Sequence, residues 1–289
     1  MKKRFVYVGL MVIIGFIGFF FSAGYVNAES TSEKYGIIQV KGGEYIVQNN
    51  IWGADTPQTV TVPDTNTCSF NVSVSGHNQD NVASYPSIYK GSHWGTTTTA
   101  WQSFNINELS YASFNWSVSS ERPTGKYNVA AEAWFSPNLD TSGGYNGGGE
   151  LMIWLDSQGM VPAGSPVGTF GSYQVWYSQM SWNYICYYQT GKNAVSINLM
   201  DFISDSVSRG YLDSSWYLHD IEAGFEICSG GEGLMVNSFS VSVSGGENGG
   251  ENGNGKVVPG FNIYILIGAI FIVSLILIKK HTRINLEFL

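Results

Sequence analysis

Ser69-Phe70-Asn71-Val72-Ser73-Val74-Ser75 alternates polar and apolar residues without a break. In an extended backbone successive side chains point to opposite faces, so this stretch predicts a half-buried strand with Phe70, Val72 and Val74 inward. Ala112, Phe114, Trp116 and Val118 repeat the pattern, as do Phe239, Val241 and Val243. Gly, Asn, Asp and Pro separate such runs and supply the turns. A body built of many short alternating runs, rich in aromatic and β-branched residues, predicts an all-β antiparallel sandwich. One segment breaks the period. Residues 196–209 place Leu199, Phe202, Ile203 and Val207 near 3.6-residue spacing, with Gly210 as a stop, and predict one helix packed on the sandwich.

The ends read differently. Met1-Lys2-Lys3-Arg4 is a basic start, an apolar run follows, and Val26-Asn27-Ala28 has the small-residue pattern of a cleavage site. Residues 1–28 are therefore expected to be a signal peptide. Residues 29–243 form the catalytic body, and residues 244–260 are a Gly/Asn/Glu linker of flexible composition in which Gly-Gly-Glu-Asn occurs twice. Residues 261–278 carry no charge and are long enough, at about 27 Å as a helix, to cross a bilayer. Lys279, Lys280, His281 and Arg283 follow and mark residues 279–289 as a cytoplasmic tail. The expectation is an exported enzyme held at the outer face of the cell membrane by its C-terminal helix, open to shedding at the linker, and acting as a monomer.

Of 14 Lys+Arg and 22 Asp+Glu, the body and linker keep 8 and 21, because six basic residues and Glu287 lie in the two ends. A balance of −13 excludes a nucleic-acid surface, which needs positive charge against phosphate. A neutral polymer fits as substrate. Cys68, Cys186 and Cys228 permit one disulfide in an oxidising exterior and leave one thiol over. The His and Cys spacings match no metal site, so neither a metal nor another cofactor is expected.

Acids inside apolar strands need a reason, since burying charge is costly. In Glu150-Leu151-Met152-Ile153-Trp154-Leu155, period two places the aliphatic residues on one face and Glu150, Met152 and Trp154 on the other. In Asp220-Ile221-Glu222-Ala223-Gly224-Phe225-Glu226-Ile227-Cys228, Glu222, Gly224 and Glu226 oppose an apolar set, and Gly224 leaves room for a close approach. In residues 127–135, Ala130, Glu132 and Trp134 share a face. Two carboxyl groups flanking a glycosidic bond, one ionised and one protonated, cleave it. At a separation of about 5–5.5 Å the ionised one attacks the sugar. A third acid can hydrogen-bond the nucleophile and help to part the two pKa values. Trp52, Trp94, Trp154 and Trp176 are candidate stacking platforms for sugar rings.

At these residues the chain resembles glycoside hydrolase family 12, the small endoglucanases, from about Tyr45 to Ser244. Asn49-Asn50-Ile51-Trp52-Gly53 resembles the family's early Asn-Asn-X-Trp-Gly strand, and Tyr85-Pro86 through Gly91-Ser92-His93-Trp94-Gly95 its Tyr-Pro…Gly-Cys-His-Trp-Gly stretch. Glu150-Leu151-Met152-Ile153-Trp154 resembles the nucleophile motif, Gly224-Phe225-Glu226 the acid/base motif, and Pro162-Ala163-Gly164 the loop that follows the nucleophile strand. The resemblance implies a β-jelly roll of two antiparallel sheets with one helix. It also implies endo-acting, retaining attack on internal β-1,4-glucosidic bonds of cellulose or a related β-glucan. Glu150 is then the nucleophile and Glu226 the acid/base, with Glu132 in support where the family usually has Asp. Asn50, Trp52, Trp94, Trp134, Met152, Trp154, Pro162 and Trp176 are the substrate-binding candidates. Ser92 stands where many members have Cys, and Cys228 where an aromatic is common. Two other readings stand beside this one: a non-catalytic carbohydrate-binding module, which would lack a carboxylate, and a jelly-roll hydrolase acting on xyloglucan or xylan.

Overall fold

A computed structural model describes residues 27–245. The expected signal peptide up to residue 26, the expected linker from residue 246, the apolar run 261–278 and the expected tail lie outside the described residues. Among the described residues no helix is long and apolar enough to cross a membrane.

Alternation turns into two sheets packed over one core. The smaller sheet has six strands in the order Glu29–Thr31, Gln58–Val62, Phe70–Ser75, Met235–Gly245, Leu109–Val118 and Ala194–Asn198. The larger has twelve. Five of these build the site: β1 (Ser87–His93), β2 (Gly125–Ser136), β3 (Gly149–Gln158), β4 (Asn183–Tyr188) and β5 (Tyr217–Gly224). Their spatial order is β4-β3-β2-β5-β1, flanked by Tyr173–Gln179 and Ser165–Phe170 on one side and by Tyr45–Gln48 and Ile37–Val40 on the other. All pairings are antiparallel except β3 with β4, which is parallel and departs from the all-antiparallel expectation.

The core between the sheets takes Val60, Phe70, Phe114, Trp116 and Val236 from one side and Ile88, Val129, Leu151, Ile185 and Ile221 from the other. A fully buried aliphatic or aromatic side chain stabilises by about 1.5–3 kcal/mol, so this interface carries most of the stability. On the opposite face of the larger sheet, Ala130, Met152, Trp154, Tyr184 and Cys186 make a second buried cluster. Strand parity thus assigns each alternate residue to the right side.

Four expectations are corrected. The helix α1 runs Leu199–Ser208, not from residue 196, because Ala194–Asn198 pairs with Leu109–Val118 and buries Ile197 as a strand residue. Val74 is 43% exposed, near the end of its strand. The last strand continues to Gly245, so Ser244 and Gly245 belong to the body and not to the linker. Cys68, Cys186 and Cys228 are all free, and Cys186 and Cys228 are buried.

Candidate active site

On β2, Ala131, Ala133 and Phe135 enter the core, which turns Asn128, Ala130, Glu132 and Trp134 to the other face. On β3, Leu151, Ile153 and Leu155 do the same for Glu150, Met152 and Trp154. Pairing register then places the acids. Trp134 lies opposite Glu150, Glu132 opposite Met152 on one side and opposite Glu222 on the other, and Trp134 opposite Asp220. Four acids on three adjacent strands therefore share one face.

Glu226 arrives by another route. The strand anticipated through Cys228 is cut at Gly224. β5 pairs with β1, and Ile227–Gly230 switches to the start of β2. A Cβ on Gly224 would lie 2.1 Å from the carbonyl oxygen of Pro86. The room that this glycine provides is filled by that backbone, whose carbonyl accepts a hydrogen bond from Phe225 N at 3.2 Å. Glu226, just past the break, is fixed by Asn128. The Asn128 amide donates to Glu226 Oε2, Glu226 N donates to Asn128 Oδ1 at 2.8 Å, and Asn128 N donates to the Glu226 carbonyl at 3.0 Å.

Glu150 and Glu226 both line a cavity of about 810 Å³ together with Glu132, Trp52, Trp94, Trp134 and Trp182. Trp52 and Trp94 are 54% and 46% exposed, so part of each ring is open to a ligand. Asn50 and Trp94 hold left-handed backbone at φ 44° and 46°, conformations that non-glycine residues adopt at a cost. Asn50, Trp134 and the buried Trp154 also line the cavity. Met152, Pro162 and Trp176 do not. Met152 is buried beneath Trp154, whose indole N–H points at its sulfur at 3.4 Å. Pro162 is buried while its neighbours Val161 and Ala163 reach the cavity. Trp176 packs on Tyr188 and donates to Gln174.

Burial raises every carboxyl here, because it disfavours the charged form. Glu132 and Asp220 are pushed well above the ordinary range, and Glu222 is raised as well. Burial pushes Glu226 up to about 7, opposed by the Asn128 amide. It pushes Glu150 up to about 8, with the repulsion of Glu226 added and hydrogen bonds from Trp182 and Glu132 opposing. Glu150 and Glu226 repel each other across the cavity, so removing the second proton costs more than the first and the two titrate as a pair. Trp182 Nε1 donates to Glu150 Oε2 at 2.6 Å. Trp134 Nε1 donates to Glu132 Oε1 at 2.9 Å.

Behind Glu132 the polar network continues. Ser87 Oγ and Gln48 Nε2 donate to Glu222 Oε2 at 2.6 and 3.0 Å. His93 Nδ1 stands 3.0 Å from Asp220 Oδ2 and 3.2 Å from Glu222 Oε1, and Tyr145 donates its hydroxyl to Asp220 Oδ2 at 3.2 Å. His93, Asp220 and Glu222 are the one convergent set of metal-type side chains among the described residues. His93 Nδ1 hydrogen-bonds Asp220 Oδ2, and Ser87, Gln48 and Tyr145 reach one oxygen of each carboxyl, while Asp220 Oδ1 and Glu222 Oε1 are buried without a hydrogen-bond partner.

Sequence reading left out Trp182, Asn128, Gln48, Ser87 and Tyr145. Asn128, Asp220 and Glu222 did carry a signal, since each shares strand parity with a chosen acid. Trp182 and Tyr145 lie outside the strands, where no period marks them.

The glycosyl hydrolase family 12 profile matches residues 43–244. The chain belongs to this family. It is a glycoside hydrolase, and its two-sheet, one-helix architecture is shared with solved members. An endoglucanase from Rhodothermus marinus is 40% identical, with a TM-score of 0.73 over 75% of this chain and 99% of that one. Endoglucanase S of Pectobacterium parmentieri is 27% identical over 75% of this chain and 89% of its own length. A xyloglucan-specific endo-β-1,4-glucanase A of Emericella nidulans is 27% identical over 70% of this chain and 87% of its own.

Proposed function

We propose that the enzyme hydrolyses internal β-1,4-glucosidic bonds of a β-glucan by double displacement, with Glu150 as nucleophile and Glu226 as general acid/base. The observation that carries this reading is the unequal donor set on two carboxyls of one cavity. Glu150 faces the Trp182 indole and Glu132, whereas Glu226 faces the Asn128 amide alone. The two values run the other way, Glu226 at about 7 and Glu150 at about 8, because Glu150 carries the added repulsion of an ionised Glu226. With Glu226 protonated that repulsion is gone, and the two donors on Glu150 favour its carboxylate.

In the first step a Glu150 carboxylate oxygen attacks the anomeric carbon, the glycosidic C–O bond breaks, and Glu226 gives its proton to the leaving oxygen. In the second, Glu226 takes a proton from water, the water oxygen bonds to the anomeric carbon, and the ester to Glu150 breaks. Two inversions leave the β configuration. Glu132 supports the first step by donating a hydrogen bond to Glu150. Trp52, Trp94 and Trp134 supply apolar ring faces along the cleft.

Glu150→Gln and Glu226→Gln should each remove activity on a soluble cellulose derivative while circular dichroism stays native. Loss of the general acid alone costs about 10²–10⁴-fold. Near-normal turnover in either variant overturns the assignment. Xyloglucan is the second substrate reading, carried by the Emericella nidulans relative, and reducing-end release across a panel of polysaccharides separates the two.

The basic start and the uncharged run 261–278 support export and a C-terminal anchor. Activity found wholly in the culture fluid, with none in washed membranes, counts against the anchor.

A further inference from the structure

Glu222 has no part in the two-carboxylate scheme, yet it is fully buried and one of its oxygens takes two donors. Ser87 and Gln48 occupy Oε2, and His93 stands at Oε1. Its strand partner is Glu132, directly opposite. Two carboxyl groups in hydrogen-bond contact need a proton between them. The donors decide who keeps it. Glu222 faces two, Ser87 and Gln48, and Glu132 faces the Trp134 indole alone, so Glu132 is the protonated partner and Glu222 the acceptor. Glu132 also contacts Glu150 through a hydrogen bond. It therefore stands between two acceptors with one O–H.

That single O–H meets a problem in the cycle, on the reading that Glu150 is the nucleophile. A charged Glu150 is a strong acceptor. Once its oxygen is bonded to sugar it is a weak one, and a buried O–H left without a partner is costly. We propose that Glu222 is a positioning residue for the reaction: a fixed second acceptor to which the Glu132 O–H turns while Glu150 is bonded to sugar, and from which it returns when the carboxylate is released. The proton stays on Glu132 throughout, and only the direction of its hydrogen bond changes.

The titratable groups around Glu222 fit this role. Its own strand brings Asp220, β1 brings His93 and Tyr89, β2 brings Glu132, and Tyr85, Glu150 and Tyr145 lie beyond. Lys90, also on β1, is committed to Glu44 at 2.8 Å. Burial pushes Glu132 and Asp220 well above the ordinary carboxyl range and pushes His93 down; it raises Glu222 too, opposed there by His93, Glu132 and Ser87.

The test is the pH profile of kcat/KM for Glu222→Gln. An amide facing Glu132 offers it a donor and allows it to ionise beside Glu150, which raises the pKa of the nucleophile. The acidic limb should move up by about one pH unit, with about a tenfold loss of kcat/KM below it. Glu132→Gln combined with Glu222→Gln should lose no more than Glu132→Gln alone, because Glu222 acts only through Glu132. An unmoved limb, or losses that multiply, overturns the proposal. Should Glu222→Gln fail to fold by circular dichroism, Ser87→Ala keeps the carboxyl and removes its 2.6 Å donor. The limb should again move up, and a fixed limb there is equally fatal. Proton NMR of the first product from the unaltered enzyme tests the underlying reading. A β-anomer with an unmoved limb overturns the role of Glu222 alone, and an α-anomer overturns retention and the proposal together.

Discussion

Trp182→Phe isolates one hydrogen bond. The Trp182 indole donates to Glu150 Oε2 at 2.6 Å, and its ring also meets Trp134 edge-on at 5.2 Å. Phenylalanine keeps an aromatic ring against Trp134 and deletes the N–H. An N–H donated to a carboxylate favours the charged form, so its loss raises the pKa of Glu150. A hydrogen bond to a charged group contributes about 1.5–3 kcal/mol. At 1.36 kcal/mol per pKa unit the full effect is about 1–2 units. Trp182 is only partly buried, so water can replace some of it, and we expect about one unit. Glu150 must be ionised to attack. The acidic limb of kcat/KM should therefore move to higher pH by about one unit, with about a tenfold loss on its acid side and little change above it. The assay is initial-rate hydrolysis of a soluble cello-oligosaccharide between pH 4 and pH 9. A uniform loss at every pH, with the limb unmoved, would refute the argument and make Trp182 a packing residue for Trp134.

The opposite limb should respond to Asn128→Ala. Its amide lowers the pKa of Glu226, which stands at about 7, so the variant should hold its acid proton to higher pH and its basic limb should shift upward. A downward shift in the same rate profile would contradict that sign. Gly224→Ala forces a methyl group to within 2.1 Å of the Pro86 carbonyl. Thermal or urea unfolding should show a loss of about 1–3 kcal/mol, and activity should fall further than stability because Glu226 lies two residues on. Trp52→Ala removes an exposed ring from the cleft wall. It should raise KM for long oligosaccharides with kcat little changed, whereas a pure kcat loss would place Trp52 outside the binding path.

Much of the site was legible because strands have a period of exact parity. Once Leu151 and Ile221 were assigned to the core, Glu150 and Glu222 had nowhere to go but the other face. The helix was legible in kind from the spacing of Leu199, Phe202 and Ile203. Its start was not, since Ile197 satisfies both a strand and a helix pattern and pairing with Phe114 decides between them. Pairing between distant strands was the larger gap. Nothing local says that Glu132 meets Glu222, or that Trp134 lies between Glu150 and Asp220. Trp182 was invisible for a related reason: its value comes from where a loop brings it, and loops have no period. The glycine beside Glu226 was legible as a point of close approach, but the approaching group is the backbone at Pro86 and not a ligand.

The buried acids make the fold a store of hydrogen ions. An unfolded chain releases protons from its carboxyls near the ordinary value of 4.5, whereas the folded one keeps that of Glu226 to about 7 and that of Glu150 to about 8. Folding in neutral solution therefore takes up protons from the surroundings. Each proton so held costs stability at about 1.4 kcal/mol per pH unit, from the unfolded value up to the folded one. The same carboxyls that the proposed chemistry uses should leave the protein most robust near pH 4.5 and progressively easier to unfold as the pH climbs from there to about 8.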